Sequence, residues 1–467
     1  MFICLRKGSL QQNAVCAAGD EMNKFKLSPF LHFLDLGDDK YVVYNSLHIK
    51  KFYCDSILAK KIKILDITEE LFSQLYSDRF IIDEKTGAEN EIGLVIDDNG
   101  ISFDKPKFKV FYMIITTGCN FRCKYCYLST LVNHNARVMN IDTAKSSLAY
   151  FYNYMKKVDD EVPKLVIYGG EPLLNKEVMR YIITDVKKKI SKNEIPFTNI
   201  VLITNGSLLD KGTAEFLKQN DVLVAVSLDG PKEFNDENRV FVDGKGTYDS
   251  AIKAIRTLNG AGIKPTLSCT INEKNVGKLN EIIVWFANNI KFDSLGLNLF
   301  SGGDCSNKRV MDLSKDSAKE IINTFKVCRE QGVYEDTVLR QMKAFVEEKP
   351  NFYYCAATGR EVSVDPEGYL AACPAFLNTK MFPFNLKDNP DLENNAEFKL
   401  WARRTPMFNK KCHKCIAFGI CGGGCAFNAY KNHKDINGMD RFYCNYAISI
   451  TEWLLKDLND ILERRRK

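Results

Sequence analysis

From about residue 109 onward, short apolar runs alternate with longer amphipathic stretches. The runs fall at 110–115, 165–168, 200–203, 222–226, 266–270 and 295–299. Helical periodicity occupies 141–157, 175–192, 209–219, 248–261 and 275–289, and a last helical stretch, 315–331, follows the sixth run. Continuous apolar strands alternating with amphipathic helices predict an α/β fold with a parallel sheet of βα units. Six units are fewer than the eight of a closed barrel, so the pattern predicts an open or partial (β/α)6 barrel.

The flanks read differently. Residues 1–107 mix strand-like runs such as Tyr41-Val42-Val43-Tyr44 with one clear helix, which follows the capping sequence Asp-Ile-Thr-Glu-Glu at Asp66 and ends near Tyr76. Asp97 to Pro106 reads as a turn-rich exit, and Met22 as an alternative start. After residue 350 the alternation stops. The stretch 351–445 is loop-rich and holds seven cysteines, ahead of an amphipathic helix at 446–463. A region with so little apolar periodicity needs another source of stability, which bound metal supplies. The chain is thus expected to divide into 1–107, a strand-then-helix (α+β) N-terminal domain, 108–349, the barrel, and 350–467, a cysteine-rich domain.

Charge adds little. The 65 basic and 59 acidic side chains leave +6, and Lys187–Lys189 and Arg464–Arg466 read as solvated helix faces, so nothing argues for nucleic acid or membrane as a partner. No window approaches the ~18 apolar residues of a membrane helix, and the first residues lack a secretory apolar run. The expected location is therefore the cytoplasm. There, the 16 cysteines are poor candidates for disulfides and direct attention to metal or redox chemistry. Six of them (Cys4, Cys16, Cys54, Cys269, Cys305, Cys328) are scattered and read as buried thiols.

In parallel α/β folds the loops after the strands share one face and form the active site. Every unusual motif falls there: Cys119-x3-Cys123-x2-Cys126 after strand one, Gly169-Gly170-Glu171-Pro172 after strand two, Thr204-Asn205-Gly206, Ser227-Leu228-Asp229-Gly230, and Asn272. Three clustered thiolates are one ligand short for structural zinc, but they leave one iron of a four-iron cluster free. With an aromatic Tyr125 before the third cysteine, this motif resembles the signature of radical S-adenosylmethionine (SAM) enzymes. The resemblance implies that Cys119, Cys123 and Cys126 hold a [4Fe–4S] cluster whose fourth iron is chelated by SAM. Reductive cleavage of SAM then yields a 5′-deoxyadenosyl radical that abstracts hydrogen from an unactivated C–H bond. It further implies that Gly169, Gly170 and Glu171 receive the SAM amino group, and that Ser227 and Arg239 contact ribose and carboxylate. Tyr125 and Asn205 would complete the cofactor side. The alternatives are a surface ion pair for Arg239, a turn hydroxyl for Ser227, and turn roles for Asn205, Asp229 and Asn272.

The C-terminal array Cys355-x17-Cys373, then Cys412-x2-Cys415-x5-Cys421-x3-Cys425, then Cys444 resembles the SPASM extension of a subset of radical SAM enzymes. By that resemblance Cys412, Cys415, Cys421 and Cys444 hold one auxiliary [4Fe–4S] cluster, and Cys355, Cys373 and Cys425 the other. Three clusters with SAM on one take eleven protein ligands; the motifs supply ten. In relatives an eleventh cysteine lies just before the position of Cys355, where this chain has Pro350-Asn351-Phe352-Tyr353-Tyr354. Either Cys305 or Cys328 reaches in, or one iron is open to a substrate thiolate.

SPASM enzymes mostly modify peptides. Sulfatase-maturing relatives, which make formylglycine from Cys or Ser, carry the three-cysteine loop near their N-terminus and an aspartate after the second SPASM cysteine; here ~100 residues precede the loop and Pro374 follows Cys373. The N-terminal region resembles leader-binding domains, which capture a precursor's leader by strand addition. The whole resembles maturases of ribosomally made peptides of the sactisynthase and ranthipeptide-synthase kind. It implies thioether crosslinking of cysteine sulfur to carbon, with flavodoxin or ferredoxin as electron donor. Formylglycine formation, carbon–carbon crosslinking and a non-catalytic iron–sulfur electron carrier are the alternatives. A carrier needs no SAM site.

Overall fold

The structure, a computed structural model, describes residues 24–126, 128, 136–158, 161–299, 305–306, 308–377 and 379–466. Cys4, Cys16 and Met22 lie outside the described residues. The chain groups into two compact units, residues up to Asn45 with Lys50–Leu94, and Ser46–Ile49 with the chain from Val95 onward.

In the first unit β1 (Phe25–Leu27) leads into an antiparallel sheet of β2 (Leu31–Gly37), β3 (Lys40–Asn45) and β4 (Lys50–Asp55), with β3 central. Asp38 and Asp39 join β2 to β3 with positive φ at both positions, the hairpin turn whose twist matches the strands. Asp55 caps α1 (Ser56–Lys63) by accepting the Leu58 N–H. The expected helix after Asp66 is α2 (Glu69–Ser77), and its cap is Thr68, which accepts the Leu71 N–H. β5 (Ile81–Asp83) returns to pair with β1. Val43, Ile62, Leu75, Phe80 and Ile81 form the core of this unit.

In the second unit six parallel strands follow one another in chain order: β6 (Val110–Thr116), β7 (Lys164–Gly169), β8 (Asn199–Thr204), β9 (Leu223–Ser227), β10 (Thr266–Thr270) and β11 (Ser294–Asn298). Intervening helices include α3 (Ile141–Met155), α4 (Lys176–Ser191), α5 (Lys211–Gln219), α6 (Tyr248–Gly260) and α7 (Leu279–Asn289). Strand residues Ile115, Leu165, Ile167, Leu202, Val226 and Leu267 are buried, as are Ile182, Leu217, Leu258 and Ile283 on the helices. This is the expected α/β arrangement with a central parallel sheet.

Two features depart from the sequence reading. A helix absent from it, α9 (Asp336–Glu347), follows α8 (Lys308–Gln331), which starts seven residues earlier than its periodicity indicated. The region after 350 also does not leave the sheet: β12 (Glu361–Val364) pairs parallel with β6, and β13 (Tyr369–Ala371) and β14 (Phe384–Asn385) extend the edge antiparallel, giving nine strands. These strands are two to four residues long and β12 alternates Glu and Ser with Val, so they lack the apolar run that marks a buried strand. α10 (Arg441–Arg466) closes the chain. No helix among the described residues is long and apolar enough to cross a membrane.

Candidate active site

The loops leaving the C-terminal ends of β6 to β11 surround a cavity of about 730 Å³. Its walls include Cys119, Cys123, Cys126, Tyr125, Gly169, Gly170, Thr204, Asn205, Ser227 and Arg239. That volume lies in the ~300–1,000 Å³ range of small-molecule sites.

The two glycines fix the position of the cysteine loop. Gly170 N–H donates to Thr116 O at 2.9 Å and Glu171 N–H to Gly118 O at 2.8 Å, tying the end of β7 to the exit of β6. Gly169 has φ +154, and a Cβ on either glycine would overlap a backbone carbonyl of Thr116 or Gly118. Gly170→Ala is therefore expected to push the Cys119 side of the loop out of place. Overpacking of this kind costs ~1–3 kcal/mol, and reconstituted variant protein should hold about four fewer iron atoms than wild type. Iron analysis checks it.

Glu171 is fully buried and does not line the cavity. Its Oε1 accepts from Leu173 N–H (2.9 Å) and Thr204 Oγ1 (2.6 Å), and its Oε2 from Asn205 N–H (2.7 Å). Burial raises its pKa and these three donors oppose the rise. The carboxylate thus joins the loops after β7 and β8. Asn205, at the end of β8, presents Nδ2 to Cys119 Sγ at 3.8 Å and to Asn120 Oδ1 at 3.0 Å. Phe121 N–H also donates to Cys119 Sγ, at 3.4 Å.

On the opposite wall, Asp229 is completely buried and binds three groups from different elements. Its Oδ1 accepts from Arg239 Nη2 (3.0 Å) and Thr270 N–H (2.9 Å), and its Oδ2 from the Tyr125 hydroxyl. The Arg239 guanidinium lies 5.3 Å from the Tyr125 ring centroid. Asp229 therefore latches the cysteine loop to the ends of β9 and β10. Among the described residues Arg239 Nε is buried without a hydrogen-bond partner, and the Cys123 thiol lies in the field of the same guanidinium. Ser227 lines the cavity; Asn272 sits in a turn, its Nδ2 on Thr270 O.

The cavity extends past the SAM-side motifs to Arg340, Gln341 and Lys343 of α9 and to Tyr353, Tyr354, Pro374, Tyr443 and Tyr446. The i, i+3, i+6, i+7 spacing of buried Val338, Gln341, Ala344 and Phe345 is the signal that would have found α9.

Cys412, Cys415, Cys421 and Cys444 lie in one electrostatic neighbourhood and Cys355, Cys373 and Cys425 in another. Gly423 N–H donates to Cys421 Sγ at 3.2 Å. Burial pushes the thiols up, Cys119 to about 12, Cys123 to about 11 and Cys355 to about 12. Protein groups alone do not ionise them, whereas iron does. The donor set therefore fits iron–sulfur clusters. Cys328 is buried on α8 beside Glu335, and the Cys305 backbone donates to Asn432 on the short helix Ala426–His433, two turns beyond Cys425.

Residues 113–286 match the Radical SAM superfamily model. That stretch is a radical SAM domain by this match, and the superfamily is one that uses SAM and a [4Fe–4S] cluster. The radical SAM cyclopropyl synthase TigE of Paramaledivibacter caminithermalis is 22% identical over 94% of each chain. Among solved structures, the anaerobic sulfatase-maturing enzyme anSMEcpe with bound AdoMet has a TM-score of 0.65 at 20% identity, covering 77% of this chain and 96% of that one. SuiB of Streptococcus suis bound to its precursor peptide SuiA has a TM-score of 0.54 at 17% identity, covering 90% and 99%. Both share the fold.

Proposed function

We propose that this protein is a radical SAM peptide maturase of the SPASM kind, which modifies a ribosomally made precursor peptide and joins a cysteine sulfur to a carbon. The observation that carries this reading is the continuity of one cavity. The three-cysteine loop, Arg239 and the tyrosine-rich wall from the cysteine-rich region all line the same space.

Cys119, Cys123 and Cys126 would hold the SAM-binding cluster. Cys412, Cys415, Cys421 and Cys444 would hold one auxiliary cluster, and Cys355, Cys373 and Cys425 part of another. When bound, cluster and SAM supply a 5′-deoxyadenosyl radical, reduced flavodoxin or ferredoxin supplies the electron, and the auxiliary clusters give the surplus electron a destination. The chain's own residues orient and enclose. Arg239 offers its unpartnered Nε to the SAM carboxylate, Ser227 offers a hydroxyl, and the Gly169-Gly170 backbone shapes the cavity floor. Tyr353, Tyr354 and Tyr443 would exclude water around the substrate side chain. Arg340 and Lys343 make that wall cationic. The antiparallel sheet β2–β3–β4 has two outer strands, and strand addition there would capture the leader.

A carbon–carbon bond is the second reading, favoured by the full-length similarity to an enzyme named as a cyclopropyl synthase. The test uses the precursor from a neighbouring reading frame, with and without its leader. Full-length precursor should lose two hydrogen atoms per modification, with loss of an alkylatable thiol for a thioether and retention of it for a carbon–carbon bond. Leaderless peptide should be modified poorly while SAM is still cleaved. Equal processing of both peptides contradicts leader capture.

A further inference from the structure

A cationic cavity stands in a nearly balanced chain. Five of the lining side chains are basic, Arg122, Arg239, Arg340, Lys343 and Lys349, and one, Glu347, is acidic. The whole chain has 65 basic and 59 acidic side chains. Two of the five cations are engaged beside the cysteine loop. Arg239 pairs with Asp229, and Arg122 Nη1 donates to the carbonyls of Cys119 (2.9 Å) and Phe121 (2.8 Å). The other three belong to α9 and the residues just after it.

α9 is a firm mount for them. Glu335 caps it by accepting the N–H groups of Thr337 (2.8 Å) and Val338 (2.9 Å). Thr337 Oγ1 donates to Leu297 O at 3.0 Å, which fastens the first turn to the end of β11. Thr337, Arg340, Gln341 and Ala344, at i, i+3, i+4 and i+7, put one helix face on the cavity. Arg340 Nε lies 3.0 Å from Asp336 Oδ2, and Asp336 is not a lining residue. That contact orients the guanidinium and leaves Nη1 and Nη2 without a partner among the described residues. Lys343 is 4.0 Å from Glu347, at the limit of an ion pair, and Lys349 forms no ion pair among the described residues. Exposed pairs of this kind are weak, so Asp336 and Glu347 leave the cations available to a ligand inside the cavity. A guanidinium with both Nη groups free matches the geometry of a carboxylate. Because the same cavity reaches the three-cysteine loop, that carboxylate belongs to the substrate.

We propose that Arg340, supported by Lys343 and Lys349, binds the side-chain carboxylate of an aspartate or glutamate in the core segment of the precursor, the part after the leader that is modified. This rests on the reading of the chain as a peptide maturase and adds a substrate class to it. Arg340 is then a specificity-determining residue, which selects the stretch of peptide that sits in the cavity.

The test is a double-mutant cycle between enzyme and peptide. Full-length reconstituted wild type and Arg340→Gln, both with SAM, are each given the precursor from the neighbouring reading frame and variants in which one core Asp or Glu becomes Asn or Gln. Modification is followed as kcat/KM with dithionite as reductant, and calorimetry gives the Kd of the synthetic core segment. One acidic position should stand out. Its amide variant and Arg340→Gln should each weaken binding about ten-fold to a hundred-fold, and the two together no more than either alone. Salt near 1 M, where the screening length is ~3 Å, should weaken binding to wild type far more than to Arg340→Gln. Losses that multiply at every acidic position overturn the proposal, as does a core segment without Asp or Glu. A loss seen only when reduced flavodoxin replaces dithionite assigns this wall to the electron donor and overturns it too. Should Arg340→Gln fail to fold, Lys349→Gln, which has no ion pair to lose, carries the same cycle. SAM cleavage by wild type is scored separately. Its absence would sink the radical SAM function, while the calorimetric cycle still decides whether Arg340 holds a carboxylate.

Discussion

Replacing Cys119, Cys123 and Cys126 together by alanine is expected to abolish SAM cleavage and to remove about four of about twelve iron atoms, leaving the auxiliary clusters in place. The three cysteines occupy a loop fastened by the Gly169-Gly170 backbone on one side and by Tyr125 to Asp229 on the other. Among the described residues, no other group of three thiols lines the cavity. Production of 5′-deoxyadenosine under reducing conditions should therefore fall to background, whatever peptide is present. Iron analysis separates loss of this cluster from general unfolding, since an unfolded chain would also lose the auxiliary iron.

The second large effect concerns Arg239. It is 6% exposed, and its ion-pair partner among the described residues, Asp229, is 0% exposed. Arg239→Ala removes a candidate SAM ligand and also leaves the Asp229 carboxylate buried without its cation, a change that typically costs ~3–5 kcal/mol. The two effects separate in a pair of variants. Asp229→Asn with Arg239→Ala removes the stranded charge and should recover much of the thermal stability lost by Arg239→Ala alone. SAM affinity should stay low in both, because losing one hydrogen-bonded charge costs ~2–5 kcal/mol, about thirty-fold to several thousand-fold. Unchanged SAM affinity in Arg239→Ala with its clusters intact would remove Arg239 from the SAM site.

The sheet was legible from the chain because parallel strands are buried on both faces. Residues 266–270 are the observed strand to the residue, and the other five runs differ by one position at one or both ends. β12 was not legible. Glu361 and Ser363 face one side of it, so Glu-Val-Ser-Val reads as a loop until the pairing with β6 is known. α9 was missed because three of its four exposed positions, Arg340, Lys343 and Glu347, are charged and its apolar face is narrow.

The site residues were legible as a set, through the loops after successive strands, but their individual roles were not. Glu171 illustrates the limit. The motif leads to the expectation of a glutamate at the SAM amino group, whereas the fold buries Glu171 outside the cavity lining, with donors arriving from Leu173, Thr204 and Asn205. Asp229 had the appearance of a turn residue and proves to be the anchor of the opposite wall.

The most direct measurement of the central claim is anaerobic incubation of the reduced, reconstituted protein with SAM and the full-length precursor carrying deuterium at its carbon-bound, non-exchangeable positions, backbone and side chain alike. The account predicts 5′-deoxyadenosine bearing deuterium, together with a precursor that has lost hydrogen in stoichiometric amount. Unlabelled 5′-deoxyadenosine with unmodified precursor, or no cleavage of SAM at all, would contradict it.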